Sequence, residues 1–299
     1  MTGLRLGAVE AGGTKFVCLV GTDPEHITGQ TRIPTGAPAE TLAQVIAFFR
    51  EQVAAGGALT AVGIASFGPV ELRPSHPRYG FITTSPKPGW TDIDLAGPVR
   101  TELGVPVGFD TDVNGAALGE GRWGAARGLA DFVYLTVGTG IGGGAVIENR
   151  IAHGLVHPEL GHLSVPRQPG DDFPGSCPFH HDCLEGMASG AAIAARWGRP
   201  GEQLDGDDLR AAVGLEAGYL AAGLRNIVYA LAPRRIVIGG GVTGLPGLVP
   251  LVRTELVKIL AGYPDLPERT AEDFVVPAAL GALAGPAGAL VLAERAGQC

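Results

Sequence analysis

Apolar positions alternate at Leu4, Leu6 and Ala8 and then run together from Phe16 to Val20, with EAGGTK at residues 10 to 15 between the two stretches. Alternation followed by a short apolar block predicts strand, tight turn, strand. The order returns after Asp131, where FVYLTVGTGIGGGAVIENR reads as a strand, a glycine-threonine loop and a second strand. Two such openings predict duplicated halves. Between them, Leu42, Val45, Ile46, Phe49 and Val53 recur at helical spacing and predict a helix over 38–54. An apolar run near 61–65 predicts a strand that ends in SFGPV, where Gly68 and Pro69 force a turn. The proline-rich residues that follow, up to Trp90, read as either a solvated excursion or a substrate lid. Gly68 and Pro69, at the mouth of that stretch, count as candidate substrate-binding residues.

A short strand, PVGF, leads into DTDVNGAALGEGRWG, which starts a helix. The last third reads as a helix over 184–197, a long helix over about 208–231, and the buried strand and turn RIVIGGG at 235–241. A helix beginning near Pro246, a strand near Phe274 and an apolar helix over 281–294 complete the chain. Strands that alternate with helices place the chain in the α/β class.

At 299 residues and 45% apolar content the chain can bury one large core or two ordinary ones. A formal charge of -8 argues against nucleic acid as the main partner. No apolar run reaches the length of a membrane span, so no membrane partner is expected. No charged-then-apolar leader opens the sequence, and a reducing, cytoplasmic setting is the expectation.

The densest chemistry lies between HPELGHLSVP and GSCPFHHDCLEG, over residues 157 to 186. Cys177, His180 and Cys183 stand three apart, with His162 upstream, and two thiolates with two imidazoles suit a closed tetrahedral zinc site. A disulfide between the two cysteines is the alternative, disfavoured by a reducing compartment. His180 and His181 both offer a ring, and His180 is the one evenly spaced between the thiols. Glu159 and Glu185 are not needed by such a zinc site and suit a polyol, because each carboxylate accepts hydroxyl hydrogen bonds. Cys18 and Cys299 are assigned no chemistry.

Gly12, Gly13 and Thr14 could turn backbone amides toward a phosphate, with Glu10 beside a hydrated magnesium ion; a plain Gly-Gly hairpin turn is the alternative. Gly138, Thr139, Gly140 and Gly142 repeat that pattern, and Gly239, Gly240 and Gly241 suit close approach of a base or ribose. Asp112 stands where strand gives way to helix, the usual place for a catalytic group in α/β proteins. Helix capping by Asp110 or Asp112 is the bland reading.

EAGGTKF, FDTDVNGAALGE, LTVGTGIGGG, HPELGH, CPFHHDCLEG and IVIGGG together resemble the ordered motifs of the ROK family of repressors, open reading frames and sugar kinases, most closely its bacterial fructokinases. The resemblance spans nearly the whole chain. It implies a two-lobed actin-like ATPase (ribonuclease H-like) fold with a central cleft, an N-terminal lobe ending near residue 111, and a larger lobe over 112–280. The final helix, about 281–299, would pack back on the first lobe. It further implies Asp112 as catalytic base and Glu159, His162 and Glu185 as sugar ligands. His162, Cys177, His180 and Cys183 match structural zinc ligands, and Glu10 with Gly12 to Lys15 and the other two glycine loops match the ATP and magnesium site. The implied reaction is ATP-dependent phosphorylation of D-fructose, with mannose, glucose or an amino sugar as alternatives, in a homodimer.

Glu10 stands where many family members have aspartate, Thr111 where many glucokinases have asparagine, and His180 where many members have a third cysteine. All three resemble the fructokinase branch, whereas His181 stands where the pattern has a smaller residue. A sugar-responsive repressor would carry a DNA reader ahead of the first glycine loop, which here begins within the opening dozen residues. A zinc hydrolase is disfavoured because all four ligand positions are protein.

Overall fold

The computed structural model describes residues 4–298, so Cys299 lies outside them. The chain divides into two units, one of Met1–Arg127 with Ala152–His157 and Ala282–Cys299, the other of Gly128–Ile151 with Pro158–Gly281.

In the first unit β1 (Leu6–Ala11) turns back into β2 (Lys15–Gly21), and β3 (Ile27–Pro34) extends the antiparallel pair. After α1 (Pro38–Gly56), β4 (Ala61–Ser66) lies parallel to β1. Two short strands, β5 (Phe81–Ile82) and β6 (Ile93–Asp94), pair with each other before α2 (Ala96–Leu103), β7 (Val107–Thr111) and α3 (Asp112–Trp123). The sheet runs β3-β2-β1-β4-β7. Its inner strands are buried on both faces and so read as apolar runs, while edge strand β3 alternates exposed and less exposed positions.

The residues between β4 and β6 are anchored to the core at two points. Trp90 and Ile82 are fully buried, and Trp90 packs against Phe16 and Phe67 at 5.4 and 5.5 Å between ring centroids. The Trp90 indole N–H donates to the Gly36 carbonyl at 3.1 Å. Burying one large ring with its polar edge satisfied anchors a segment whose proline content alone suggested solvent.

In the second unit β8 (Phe132–Val137) and β9 (Ile141–Ile147) form the corresponding hairpin, and β10 (Arg150–Ile151) edges it. The chain then passes through α4 (Leu184–Ala188), α5 (Gly190–Trp197), α6 (Gly206–Leu231), β11 (Arg235–Gly239), α7 (Leu248–Leu260) and β12 (Val275–Pro277). The order β10-β9-β8-β11-β12 repeats the first sheet's pattern of an antiparallel hairpin flanked by parallel strands. The single helix expected over 184–197 is two helices. Ser189 adopts extended backbone between them, and its hydroxyl caps α5 by accepting the Ala192 N–H at 3.1 Å.

The last helix, α8 (Ala284–Gly297), belongs to the first unit, where it lies on β1, β4, β7 and α3. The sheet face beneath it carries small residues: a Cβ on Gly63 would meet the Ala289 carbonyl at 1.8 Å, and one on Gly108 the Leu292 carbonyl at 2.3 Å. The alternate residues Val62, Ile64, Val107 and Phe109 point into the core that includes α1. Helices α3 and α8 meet through glycines, and a Cβ on Gly288 would lie 1.6 Å from the Gly115 carbonyl oxygen. This packing moves the boundary expected at residue 111. Helix α3 stays with the first unit, which continues to Arg127 and takes in Ala152–His157 as well. Among the described residues, no helix is long and apolar enough to cross a membrane.

Two glycine substitutions should therefore act in opposite directions on thermal unfolding. Gly288→Ala forces backbone apart and should cost about 1–3 kcal/mol. Gly214→Ala, in exposed helix with nothing within 4 Å, should gain up to about 1 kcal/mol.

Candidate active site

Strands β1, β4 and β7 are parallel and aligned so that Ala11 pairs with Ser66 and Ser66 with Thr111. The Gly12 to Lys15 turn, the Phe67 to Pro69 turn and Asp112 thus leave the sheet at one edge, the carboxyl end where α/β proteins place ligands. The cap of α3 is neither aspartate. Thr111 accepts the Asn114 N–H on its hydroxyl at 3.1 Å, which leaves Asp112 half-buried with one oxygen accepting the Val113 N–H at 2.9 Å.

Burial pushes the Asp112 carboxyl up to about 6 against backbone hydrogen bonds that pull it down. Glu10 is pushed up to about 7, first by burial and then by the charge of Asp112, with Lys15 opposing. Helix α8 presses on the same place, since a Cβ on Gly285 would meet Glu10 Oε1 at 2.3 Å. Two neighbouring carboxylates that each resist ionisation suit a divalent cation.

The glycine turns are only partly available to a ligand. The Gly12 N–H donates to the Lys15 carbonyl at 3.0 Å, so the first phosphate reading narrows to Gly13, Thr14 and Lys15. Gly138 N–H donates to the Gly140 carbonyl at 2.9 Å. Gly239 and Gly240 are glycines for internal reasons. A Cβ on Gly239 would meet the Tyr134 hydroxyl at 2.6 Å, and Gly240 has φ of 90° and faces the Val137 carbonyl. At Gly13, Gly138 and Gly241, by contrast, a Cβ would have no neighbouring atom within 4 Å, and open space over backbone is what close ligand approach requires.

In the second unit several motifs converge on the peptide of Ile141. Its N–H donates to Glu185 Oε2 at 2.9 Å, and its carbonyl lies so near Gly161 that a Cβ there would be 1.8 Å away. A Cβ on Gly140 would meet Glu185 Oε2 at 2.5 Å. The Thr139 loop, the turn of Glu159 to His162 and the start of α4 are thereby fastened together, with Gly142 next along β9.

His162, Cys177, His180 and Cys183 bring one ligand atom each within 4.8 Å of one another. His162 Nδ1 lies 3.5 Å from Cys183 Sγ and 3.8 Å from Cys177 Sγ, and His180 Nδ1 is 3.8 Å from Cys177 Sγ. A tetrahedron with arms of about 2.0–2.3 Å has edges of roughly 3.3–3.8 Å, so the set fits a metal. Cys177 and Cys183 are free thiols, not a disulfide. Burial pushes the Cys183 thiol up to about 11, and a bound cation favours the thiolate. His181 is outside the set and sits at φ of 54°, the left-handed region that favours a residue without a Cβ. Its backbone exchanges two hydrogen bonds with Cys177, at 3.0 and 3.2 Å. Cys18 is buried in β2, which pushes its thiol up to about 12 and makes it inert.

Two residues beside the site escaped the sequence reading. His153 Nε2 lies 3.1 Å from the buried Asp110, and the His157 ring accepts the Val70 N–H at 3.2 Å, directly after Gly68 and Pro69. The hydrogen bond to Asp110 raises the His153 ring above its ordinary value. The only trace in the sequence is a pair of histidines four apart ahead of Glu159.

The ROK family profile matches residues 6–296, spanning both sheets and every motif above. The chain belongs to the ROK family. It is 41% identical to the fructokinase of Pediococcus pentosaceus over 98% of this chain and 99% of that protein. Its fold is similar to the ROK hexokinase of Thermus thermophilus, with a TM-score of 0.78 and 28% identity over 98% of each chain. It is also similar to a ROK glucokinase from Streptomyces griseus solved with glucose and AMPPNP, with a TM-score of 0.74 and 26% identity over 97% of this chain and 99% of that one.

Proposed function

We propose that this ROK protein phosphorylates D-fructose with ATP to give fructose 6-phosphate. The observation that carries the reading is Asp112. It stands at a parallel strand end, is relieved of capping by Thr111, and is held near 6, so it is ionised at neutral pH yet basic enough to take a hydroxyl proton. Fructose is favoured over glucose because the fructokinase likeness, at 41% over 98% of the chain, exceeds the glucokinase likeness, at 32% over 64% of it.

In this reading Asp112 accepts the proton of the acceptor hydroxyl, while Glu159, His162 and Glu185 take the other sugar hydroxyls and Gly68 and Pro69 border the sugar. Phosphoryl transfer needs mainly positioning and charge neutralisation. The Gly12 to Lys15, Gly138 to Gly142 and Gly239 to Gly241 turns take the nucleotide, a role that the open backbone at Gly13, Gly138 and Gly241 supports. Glu10 would hold magnesium, which when bound would supply neutralisation of phosphate charge. His162, Cys177, His180 and Cys183 would hold zinc with protein ligands alone, and the ion would then serve to order the loop between Glu159 and Glu185 and not the reaction. The reading carries with it a cytoplasmic homodimer with no nucleic-acid or membrane partner.

Asp112→Asn should lower kcat by roughly a hundred- to ten-thousandfold while the KM for fructose changes little. Because the carboxyl is raised and must be ionised to act, wild-type kcat/KM should fall as pH drops through about 6. Near-normal turnover of Asp112→Asn would contradict the assignment. Stripping the metal with a chelator should cut turnover about ten- to a hundredfold, with recovery on adding zinc. Full activity in demonstrably metal-free protein would contradict the structural role of zinc.

A further inference from the structure

The segment Ala152–His157 belongs to the first unit although the chain on both sides of it belongs to the second. Two histidines fasten it there. His157 holds the backbone at Val70, and His153 reaches Asp110, with Nε2 3.1 Å from Oδ2 and 3.3 Å from Oδ1. Asp110 is 4% exposed and precedes Asp112 by two residues on β7. Its Oδ1 also accepts the Thr111 N–H at 2.8 Å and the Asn114 side-chain N–H at 2.6 Å.

The proton inventory fixes the direction of the third bond. An ionised carboxylate only accepts, so the His153 nitrogen facing it carries hydrogen. The Asn114 amide nitrogen lies 3.3 Å from the same ring nitrogen, and since both then carry hydrogen the two are neighbours, not partners. Asp110 thus gathers the main chain of Thr111, the side chain of Asn114 and the ring of His153. Thr111 closes the ring by taking the Asn114 N–H on its hydroxyl. Asp112 lies inside this closed set of bonds. His153 is the member of the set that comes from outside the β7–α3 junction, 43 residues along the chain from Asp110.

We propose that His153 is a positioning residue for Asp112. Through its ring N–H on Asp110 it fixes the β7–α3 junction in the orientation that aims the Asp112 carboxylate at the acceptor hydroxyl. The inference rests on the reading of Asp112 as the base. Folding does not need this bond, because the junction is already held by the β4–β7 ladder and the Thr111 cap. The His153 side chain is 39% exposed, and without it the buried Asp110 still accepts the Thr111 and Asn114 N–H groups, so loss of the ring costs little stability. Its effect therefore belongs to turnover and not to the melting temperature.

The test uses full-length, zinc-replete protein and compares His153→Leu, His153→Gln and Asp112→Asn in kcat, in KM for ATP, and in thermal midpoint. His153→Leu should lower kcat about ten- to a hundredfold, because small misplacement of a reacting group is costly, with the KM for ATP and the midpoint unchanged. His153→Gln should recover most of kcat, since its amide N–H reaches nearly the same point as the ring N–H. Wild-type kcat in His153→Leu, alongside a large loss in Asp112→Asn, would overturn the positioning role and leave the base intact. Equal loss in Leu and Gln variants with a lowered midpoint would show a merely structural role and would also overturn it. Near-normal turnover of Asp112→Asn would instead remove the base reading on which the inference rests.

Discussion

Glu10 and Asp112 lie close enough that the charge of one raises the other, and both are held well above the ordinary carboxylate range by burial. Two acids crowded in this way are costly for a folded chain unless something uses them. The first unit accepts the cost through its architecture. The aligned ends of β1, β4 and β7 place both residues at one sheet edge, and the small residues Gly63, Gly108, Gly115 and Gly288 let α8 come close enough to dry that edge. A cation would relieve the crowding, because an opposite charge favours the ionised form of both carboxyls.

The second unit solves a different problem. Apart from Glu185 at the start of α4, its candidate sugar and metal ligands lie outside the helices and strands named above, where backbone order cannot come from a ladder. Order comes from the Ile141 peptide, held between Gly161 and the Glu185 carboxylate, and from the four donors gathered at Cys177 and Cys183. One Glu185 oxygen thus ties down the glycine loop through the Ile141 N–H.

Much of this was legible in the residues alone. Strand alternation and the repeated glycine loops gave both hairpins, because periodicity and turn chemistry are local signals. The clustering of His162, Cys177, His180 and Cys183 was legible because three of them share one short loop. The cap at Thr111 was not, since Asp110, Thr111 and Asp112 are all good caps and only backbone geometry decides among them. That the glycines at 239 and 240 also answer to Tyr134 and Val137 was not legible, because these are neighbours in the sheet but distant in sequence. The break at Ser189 lay hidden inside a helical pattern, and the bond between His153 and Asp110 joins positions that no local rule connects.

Sugar choice depends on a few hydroxyl contacts, so it is where family likeness must be turned into a number. The most direct measurement is ADP release by the purified, zinc-replete protein with ATP and magnesium, run in parallel on fructose, mannose, glucose and N-acetylglucosamine. The account predicts a kcat/KM for fructose at least about tenfold above each of the others. Absence of turnover on fructose, or faster turnover on glucose, would contradict it.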